Sequence, residues 1–212
     1  MLLLQGRVYI YEFDGTAMNL QATLDGQEPG GRFGSALAMT ASGNHLLIGA
    51  PGAAGTSSGS VFYFEWDGNA WNPIFSLPGT DPTDNLGTTV EILDGVGDLI
   101  AMGAPNYDSS RGYIRVYRRV FGSFWGQYGD DIVGEVGDFL GTTLSAGSST
   151  RLVAGTASGS FKVFEFVEEQ NSWIGVGTNQ PSLAANVASI ATTGHGEIAI
   201  GLQDESVVIY GL

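Results

Sequence analysis

A six-residue phrase that returns along the chain constrains the fold more than any other feature of this sequence. It reads GRVYIY at residues 6–11, GSVFYF at 59–64, GYIRVY at 112–117 and GSFKVF at 159–164. The leading glycines are 53, 53 and 47 residues apart, and a weaker copy, SVVIY, occupies residues 206–210. A period near 50 residues built from strand-forming residues is typical of a β-propeller, in which each repeat supplies one sheet, or blade. A residue that returns in each copy is therefore expected to hold the sheets together, and only a departure from the pattern can indicate chemistry.

Each full repeat is predicted to form four short antiparallel strands, labelled A to D. In the second copy, strand A is expected to begin at Arg32, strand B to span residues 46–48, strand C residues 60–65 and strand D residues 70–77. Strand C carries apolar side chains on both faces, which is typical of a strand buried between two neighbouring sheets. The repeat thus predicts an all-β chain.

Glycine and proline mark the ends of these strands. Asp67-Gly68 predicts the hairpin turn between strands C and D, with positive φ at both central residues. Pro51 is expected to end strand B, because proline donates no hydrogen bond to the ladder. Gly34 and Gly49 are expected to let the backbones of neighbouring sheets approach closely.

The alignment treats the whole chain, residues 1–212, as one propeller domain or segment. The repeats cover residues 1–31 as a half blade, 32–84, 85–138, 139–185, and 186–212 as a partial blade. This arrangement predicts 17 strands, or about four blades. It fits a closed four-bladed ring joined at its ends, and it also fits an arc of a larger propeller. An arc would leave apolar strand edges open, and open edges promote self-association.

Composition narrows the function further. The formal net charge is -14, so phosphate backbones would be repelled and no nucleic-acid partner is expected. There is no cysteine, and therefore neither a disulfide framework nor a thiolate metal site. The opening residues lack the basic flank and cleavage site of a signal peptide, and no run approaches the roughly 18 apolar residues of a membrane span.

Two recurrent pairs carry a family resemblance. Phe33-Gly34 is followed by Gly-Ala-Pro at residues 49–51, and Leu86-Gly87 is followed by Gly-Ala-Pro at residues 103–105. These spans resemble the FG-GAP repeats of integrin alpha-chain-type propellers, and the WGQYGDD run at 125–131 is similar to a phrase in large surface proteins of this kind. The resemblance covers almost the whole chain and is faint after residue 180.

The resemblance implies a non-catalytic propeller, usually of seven blades, that recognises a protein or glycan partner, often outside the cell or at its surface and often with calcium. The calcium ligands of the family lie in the loop between strands A and B. Here only Asp94 and Asp98 place two carboxylates in one such loop, whereas the ion takes 6 to 8 oxygens. We expect no cofactor, and we treat calcium at these two residues as the disfavoured alternative to a turn with an Asx-type hydrogen bond.

Two motifs that suggest other chemistry belong to the repeat. GTSSG at residues 55–59 matches the G-x-S-x-G elbow of serine hydrolases, but Ala157 replaces the serine in the next matching segment, and no helix follows. Trp71, Trp125 and Trp173 return at one repeat position and are predicted to pack between blades rather than to stack on a ligand. We therefore expect no enzyme.

The arginines of the third copy break the pattern. Arg111, Arg115, Arg118 and Arg119 make up half of the basic residues of an acidic chain. If Arg115, Arg118 and Arg119 are exposed together, they predict a docking patch for an anionic protein or sulfated glycan. If each is paired with a carboxylate, they indicate an internal role. The first outcome favours a recognition or adhesion module, and the second a purely structural repeat segment of a longer surface or secreted protein.

Overall fold

The structure is a computed structural model that describes residues 5–52, 58–157, 159–177, 183, 185–194 and 196–211. The described residues form eighteen strands in five antiparallel sheets of two to five strands, which confirms the predicted all-β class. None of these five sheets closes on itself.

The strands follow the phrase copies in regular order. They are β1 (Arg7–Phe13), β2 (Met18–Asp25), β3 (Ala36–Met39), β4 (His45–Ala50), β5 (Ser60–Trp66), β6 (Trp71–Pro78), β7 (Thr89–Ile92), β8 (Leu99–Ala104), β9 (Tyr113–Phe121), β10 (Phe124–Gln127), β11 (Ile132–Val133), β12 (Thr143–Ser148), β13 (Arg151–Gly155), β14 (Phe161–Val167), β15 (Ser172–Val176), β16 (Val187–Thr192), β17 (Ile198–Leu202) and β18 (Val207–Tyr210). Helical structure is limited to a four-residue turn, α1 (Tyr107–Ser110), and a 3₁₀ turn at Glu168–Gln170. In the described part of the chain, no helix has the length and apolar character needed to cross a membrane.

The five sheets are arranged in chain order. The first sheet is β1-β2, the second β3-β4-β5-β6, the third β7-β8-β9-β10 with β11 also paired to β9, the fourth β12-β13-β14-β15, and the fifth β16-β17-β18. From the second sheet onwards, the first strands of successive sheets contact one another, β3 with β7, β7 with β12, and β12 with β16. The sheets therefore pack in series, each between its neighbours in sequence.

The leading glycine of each phrase marks the contact with the following sheet. Gly59 and Gly112 have φ values of +80° and +72°. A Cβ atom on Gly59 would lie 2.1 Å from the backbone oxygen of Leu86, and one on Gly112 would lie 2.2 Å from that of Leu140. Two backbones occupy the space that a side chain would need, so this position requires glycine on both conformational and steric grounds.

The glycine of the Gly-Ala-Pro segment makes a second close approach. A Cβ atom on Gly49 would lie 2.0 Å from the backbone oxygen of Gly87, and one on Gly103 would lie 2.4 Å from that of Gly141. Both contacts join a sheet to the next one. The close backbone approach predicted for the glycine of this segment is confirmed, and strand β4 ends at Ala50, directly before Pro51, as expected.

Each inner sheet has two distinct apolar faces. We call the face that packs on the preceding sheet the leading face and the opposite one the trailing face. In the second sheet, Phe62 and Phe64 of the leading face pack with Val8 of the first sheet. Val61 and Tyr63 of the trailing face are fully buried with the third sheet. Four such clusters fill the four gaps between the five sheets.

The three recurrent tryptophans lie in these gaps, as predicted. Trp71 and Trp173 are buried, and the indole nitrogen of Trp173 donates to the backbone oxygen of Tyr128 in the third sheet at 3.0 Å. Trp125 lies with its ring centroid 5.0 Å from those of Tyr63 and Phe75 in the second sheet. Each tryptophan therefore joins its own sheet to the preceding one.

Strand A begins later than expected. Phe33-Gly34 lies before β3, which starts at Ala36 rather than at Arg32. Gly34 has a φ of +90°, and its amide donates to the backbone oxygen of Gly49 at 3.0 Å. The buried ring of Phe33 belongs to the gap between sheets, so its apolar character does not indicate a strand.

The count of 17 strands was wrong by one because strand D of the third copy is divided. β10 pairs with β9 as far as Gln127 opposite Tyr117, and pairing resumes at β11 with Ile132 opposite Ile114. Residues 128–131 lie opposite only residues 115–116 of β9, so the strand bulges here, although the amide of Tyr128 still donates to the backbone oxygen of Val116 at 2.8 Å. Asp131, at the end of this bulge, is the residue that binds Arg115.

The Asp67-Gly68 hairpin was predicted correctly in place but not in turn type. The turn covers residues 67–70, and its central residues are Gly68 and Asn69, of which only Gly68 has positive φ. The carboxylate of Asp67 accepts hydrogen bonds from the amides of Asn69 and Ala70, both at 2.8 Å. These bonds lower the pKa of Asp67. Asp67 thus occupies the first position of the turn and stabilises the turn through its carboxylate.

Candidate functional site

Arg115 and Arg119 are largely buried and bind carboxylates. The guanidinium of Arg115 makes a two-pronged contact with Asp131 at 2.7 and 2.5 Å, and only 14% of its side chain is exposed. The hydrogen bond to Asp131 raises the pKa of Arg115. Arg119 pairs with Glu65 of the second sheet and lies 3.0 Å from Asp98. Both arginines therefore have a structural role: Arg115 joins β9 to Asp131, and Arg119 joins the third sheet to the second.

Arg111 lies apart from that pair. It sits just after α1, and its Nε lies 3.4 Å from the carboxylate of Asp108, with both side chains substantially exposed. An exposed ion pair of this kind contributes little stability, of the order of 0–1 kcal/mol. The four arginines therefore do not form one continuous cationic patch.

Arg118 differs from the other three. Its side chain is exposed, and its guanidinium carbon lies 5.2 Å from the centre of the Tyr128 ring. Within the described residues it takes part in no ion pair. The Tyr128 ring also stacks with Phe166, at 3.9 Å between ring centroids. This stacking holds Arg118 beside Tyr128, with the guanidinium exposed and in no ion pair with a described carboxylate.

Arg118 lines a cleft between the third and fourth sheets, here named the Arg118 cleft. Its volume is about 370 Å³. The lining residues are Asp94, Val96, Asp98, Leu99, Arg118, Arg119, Tyr128, Ser149, Thr150 and Glu168. They come from the β7–β8 loop, the start of β8, the end of β9, the segment after β10, the β12–β13 turn and the 3₁₀ turn, so only the packing of two sheets assembles them.

The cleft is polar and carries both signs of charge. The Tyr128 hydroxyl donates to the carboxylate of Glu168 at 3.0 Å. Burial and this hydrogen bond raise the pKa of Tyr128, which therefore stays neutral and a donor near pH 7. The hydrogen of Tyr128 is used by Glu168, and the cleft offers a ligand the hydroxyls of Ser149 and Thr150 and the cation of Arg118. Such a set can bind a ligand that combines one anionic group with several hydroxyls.

Asp94 and Asp98, the disfavoured calcium ligands, both line this cleft. One oxygen of Asp94 accepts hydrogen bonds from the amides of Gly97 at 2.8 Å and Asp98 at 3.0 Å, which is the arrangement of an Asx-type turn. Asp98 faces the guanidinium of Arg119. Among the residues that the structure describes, no group of three or more His, Cys, Asp or Glu side chains is placed to hold a metal ion.

We expect calcium to leave the stability of this protein unchanged. A cation would have to displace the amide hydrogen bonds of Asp94 and the Arg119 pair of Asp98. A melting curve with calcium at about 10 mM, above the 10⁻⁴–10⁻³ M range of extracellular modules, checks this against a curve with chelator. A rise in Tm that is abolished by Asp94→Asn would contradict it and establish a site.

Sequence patterns did not reveal every residue of the cleft. Tyr128 and Glu168 lie 40 residues apart and meet only because two sheets pack together. The bulge in strand D, which precedes β11, shows that residues near Tyr128 depart from the repeat. The GTSSG segment at residues 55–59, which the repeat assigns to a loop rather than to a serine elbow, lies mostly outside the described residues.

Neither a protein-family model nor a curated protein matches the sequence.

Proposed function

We propose that this chain is a non-catalytic recognition module of the FG-GAP β-propeller type, which binds a protein or glycan partner through the Arg118 cleft. The proposed architecture is an arc of blades belonging to a propeller, with each of the five sheets as one complete or partial blade. The serial contacts of the first strands support this, because blades meet along their inner strands around a propeller axis. An extracellular or cell-surface setting is part of the proposal and rests on the family resemblance.

The observation that carries the proposal is the state of Arg118. It is an exposed guanidinium that a stacked tyrosine holds in place and that is not used by any described carboxylate. The chain carries a formal charge of -14, so most of its cations can be expected to pair with carboxylates. Arg118, an unpaired cation held in position, departs from that expectation. Preorganised donors of this kind lose little entropy when they bind an anion.

The surroundings of Arg118 favour a ligand with a single anionic group. Asp94, Asp98 and Glu168 line the same cleft and would repel a long polyanion. Their oxygens can accept hydrogen bonds from the hydroxyls of a sugar, while Arg118 binds its carboxylate or sulfate. We therefore favour an acidic glycan over an extended sulfated chain.

We expect Arg118→Gln to weaken binding to immobilised acidic oligosaccharides at least about tenfold, as the loss of one charge-assisted hydrogen-bond pair implies. Surface plasmon resonance on carboxylated and sulfated oligosaccharides provides the measurement. Arg111→Gln is the matched control, because it removes the same charge from an exposed arginine outside the cleft. If both variants lose the same affinity, the effect comes from net charge alone, and the proposal of a defined site at Arg118 is wrong.

The second candidate, a purely structural repeat segment without a ligand of its own, is favoured by a different observation. Arg111, Arg115 and Arg119 are each paired with an acidic side chain, as that interpretation requires. If the unaltered chain binds neither carboxylated nor sulfated oligosaccharides, the glycan proposal fails and the structural role is favoured.

A further inference from the structure

The apolar positions of the phrase fall into two series that face opposite neighbours. Residues equivalent to Val61 and Tyr63 lie on the trailing face of each sheet, and residues equivalent to Phe62 and Phe64 lie on the leading face. The trailing series continues with Val8 and Ile10, with Ile114 and Val116, with Phe161 and Val163, and with Val207 and Ile209. In the first four sheets these trailing positions pack against the following sheet.

The leading face of the first sheet has apolar side chains that are exposed. Tyr9 and Tyr11 occupy the positions of Phe62 and Phe64 but are 54% and 51% exposed. Phe13 beside them is 63% exposed, and Met18 and Leu20 on the paired strand are exposed to a similar degree. Monomeric proteins rarely expose so many adjoining large apolar side chains without an interaction that covers them.

The trailing face of the fifth sheet is exposed in the same way. Val207 is 67% and Ile209 is 72% exposed, whereas Val208 and Tyr210 on the other side of the strand pack into the last cluster. In four preceding gaps, side chains at these two trailing positions meet aromatic or aliphatic residues of a leading face. The two open faces are therefore the two halves of an interface that the chain already makes four times.

We propose that these two faces bind one another between copies of this chain, with the trailing face of the fifth sheet of one copy packed on the leading face of the first sheet of the next. The continuity of the sheet-to-sheet interface carries this inference. The two faces differ in composition and are complementary, which makes the contact head-to-tail rather than symmetric. The inference does not depend on the Arg118 cleft.

Charge predicts how this association responds to salt. Both copies carry a formal charge of -14, so they repel one another at low ionic strength. Salt screens that repulsion over about 10 Å at 0.1 M and leaves the apolar contact intact. The assembly should therefore become tighter as salt is added, unlike a contact made by ion pairs.

Sedimentation velocity on the full chain over a range of concentrations tests the proposal. We expect the unaltered protein to form dimers and longer species, and we expect Tyr11→Asp and Ile209→Asp each to raise the dissociation constant at least about tenfold. Val120→Asp is the control, because it places the same charge at an exposed valine of the β9–β10 hairpin, away from both faces. Circular dichroism confirms that each variant remains folded, as substitution at exposed positions should allow.

Mixing the two variants gives the decisive result. The Tyr11→Asp protein keeps an intact trailing face and the Ile209→Asp protein an intact leading face, so an equimolar mixture should form dimers and nothing longer. A symmetric contact between two leading faces would leave Ile209→Asp fully associated and would overturn the proposal. A wild-type protein that stays monomeric at every concentration, as closure of the chain's own two ends would require, would overturn it as well.

Discussion

Gly112→Ala is expected to destabilise the protein by about 3 kcal/mol or more. The substitution adds a left-handed backbone penalty of about 1–2 kcal/mol. It also adds a Cβ atom that would lie 2.2 Å from the backbone oxygen of Leu140 and 2.5 Å from its nitrogen. Since both atoms belong to the main chain of the next sheet, relief requires the third and fourth sheets to move apart. Equilibrium denaturant unfolding measures the loss.

The control for Gly112 is Gly68, which has a φ of +96° and open space around the position of a Cβ atom. Gly68→Ala should cost about 1 kcal/mol, the conformational part alone. If the two alanine variants lose the same stability, the close approach of the sheets at Gly112 contributes nothing and the steric interpretation of the phrase glycine is wrong.

Trp173→Ala is expected to cost about 3–5 kcal/mol, the range for removing a buried aromatic side chain. The ring is buried between the third and fourth sheets, with Phe166 at 5.3 Å between centroids. The variant also leaves the backbone oxygen of Tyr128 without the indole donor. Thermal and denaturant unfolding of the variant and the parent protein give the difference.

Phe121→Ala serves as the comparison for Trp173, because Phe121 is 86% exposed in the same region of the fold. It should change the free energy of unfolding by less than about 0.5 kcal/mol. A loss below about 1 kcal/mol for Trp173→Ala would mean that this tryptophan does not hold two sheets together.

The sequence predicted strand bounds best where the local turn residues and the alignment of the repeats indicate the same boundary. Strand C of the second copy was predicted at residues 60–65 and spans Ser60–Trp66, because a positive-φ glycine opens it and the Asp67-Gly68 turn closes it. Strand D was predicted at 70–77 and spans Trp71–Pro78. The turn residues and the apolar residues that determine the bounds of these two strands lie within a few positions of each other. The bounds can therefore be predicted from a single sequence.

The sequence was least informative where contacts cross between sheets. Arg119 pairs with Glu65, a residue 54 positions away, and this partnership depends on the register of two packed sheets. Arg115 and its partner Asp131 face each other only because strand D bulges. Clustering in the sequence suggested one patch of four arginines. Along β9, however, Arg115 and Arg119 pair with carboxylates of different segments, whereas Arg118 is exposed.

The division of the apolar interior into four separate clusters affects where unfolding of the chain begins. Each cluster spans only one pair of neighbouring sheets, so stability is a sum of nearest-neighbour terms rather than a property of one common core. The third sheet is supported on both sides, whereas the first and fifth sheets are each supported on one. In an isolated copy of the chain we therefore expect local unfolding to start at the two end sheets and to reach the middle sheets last.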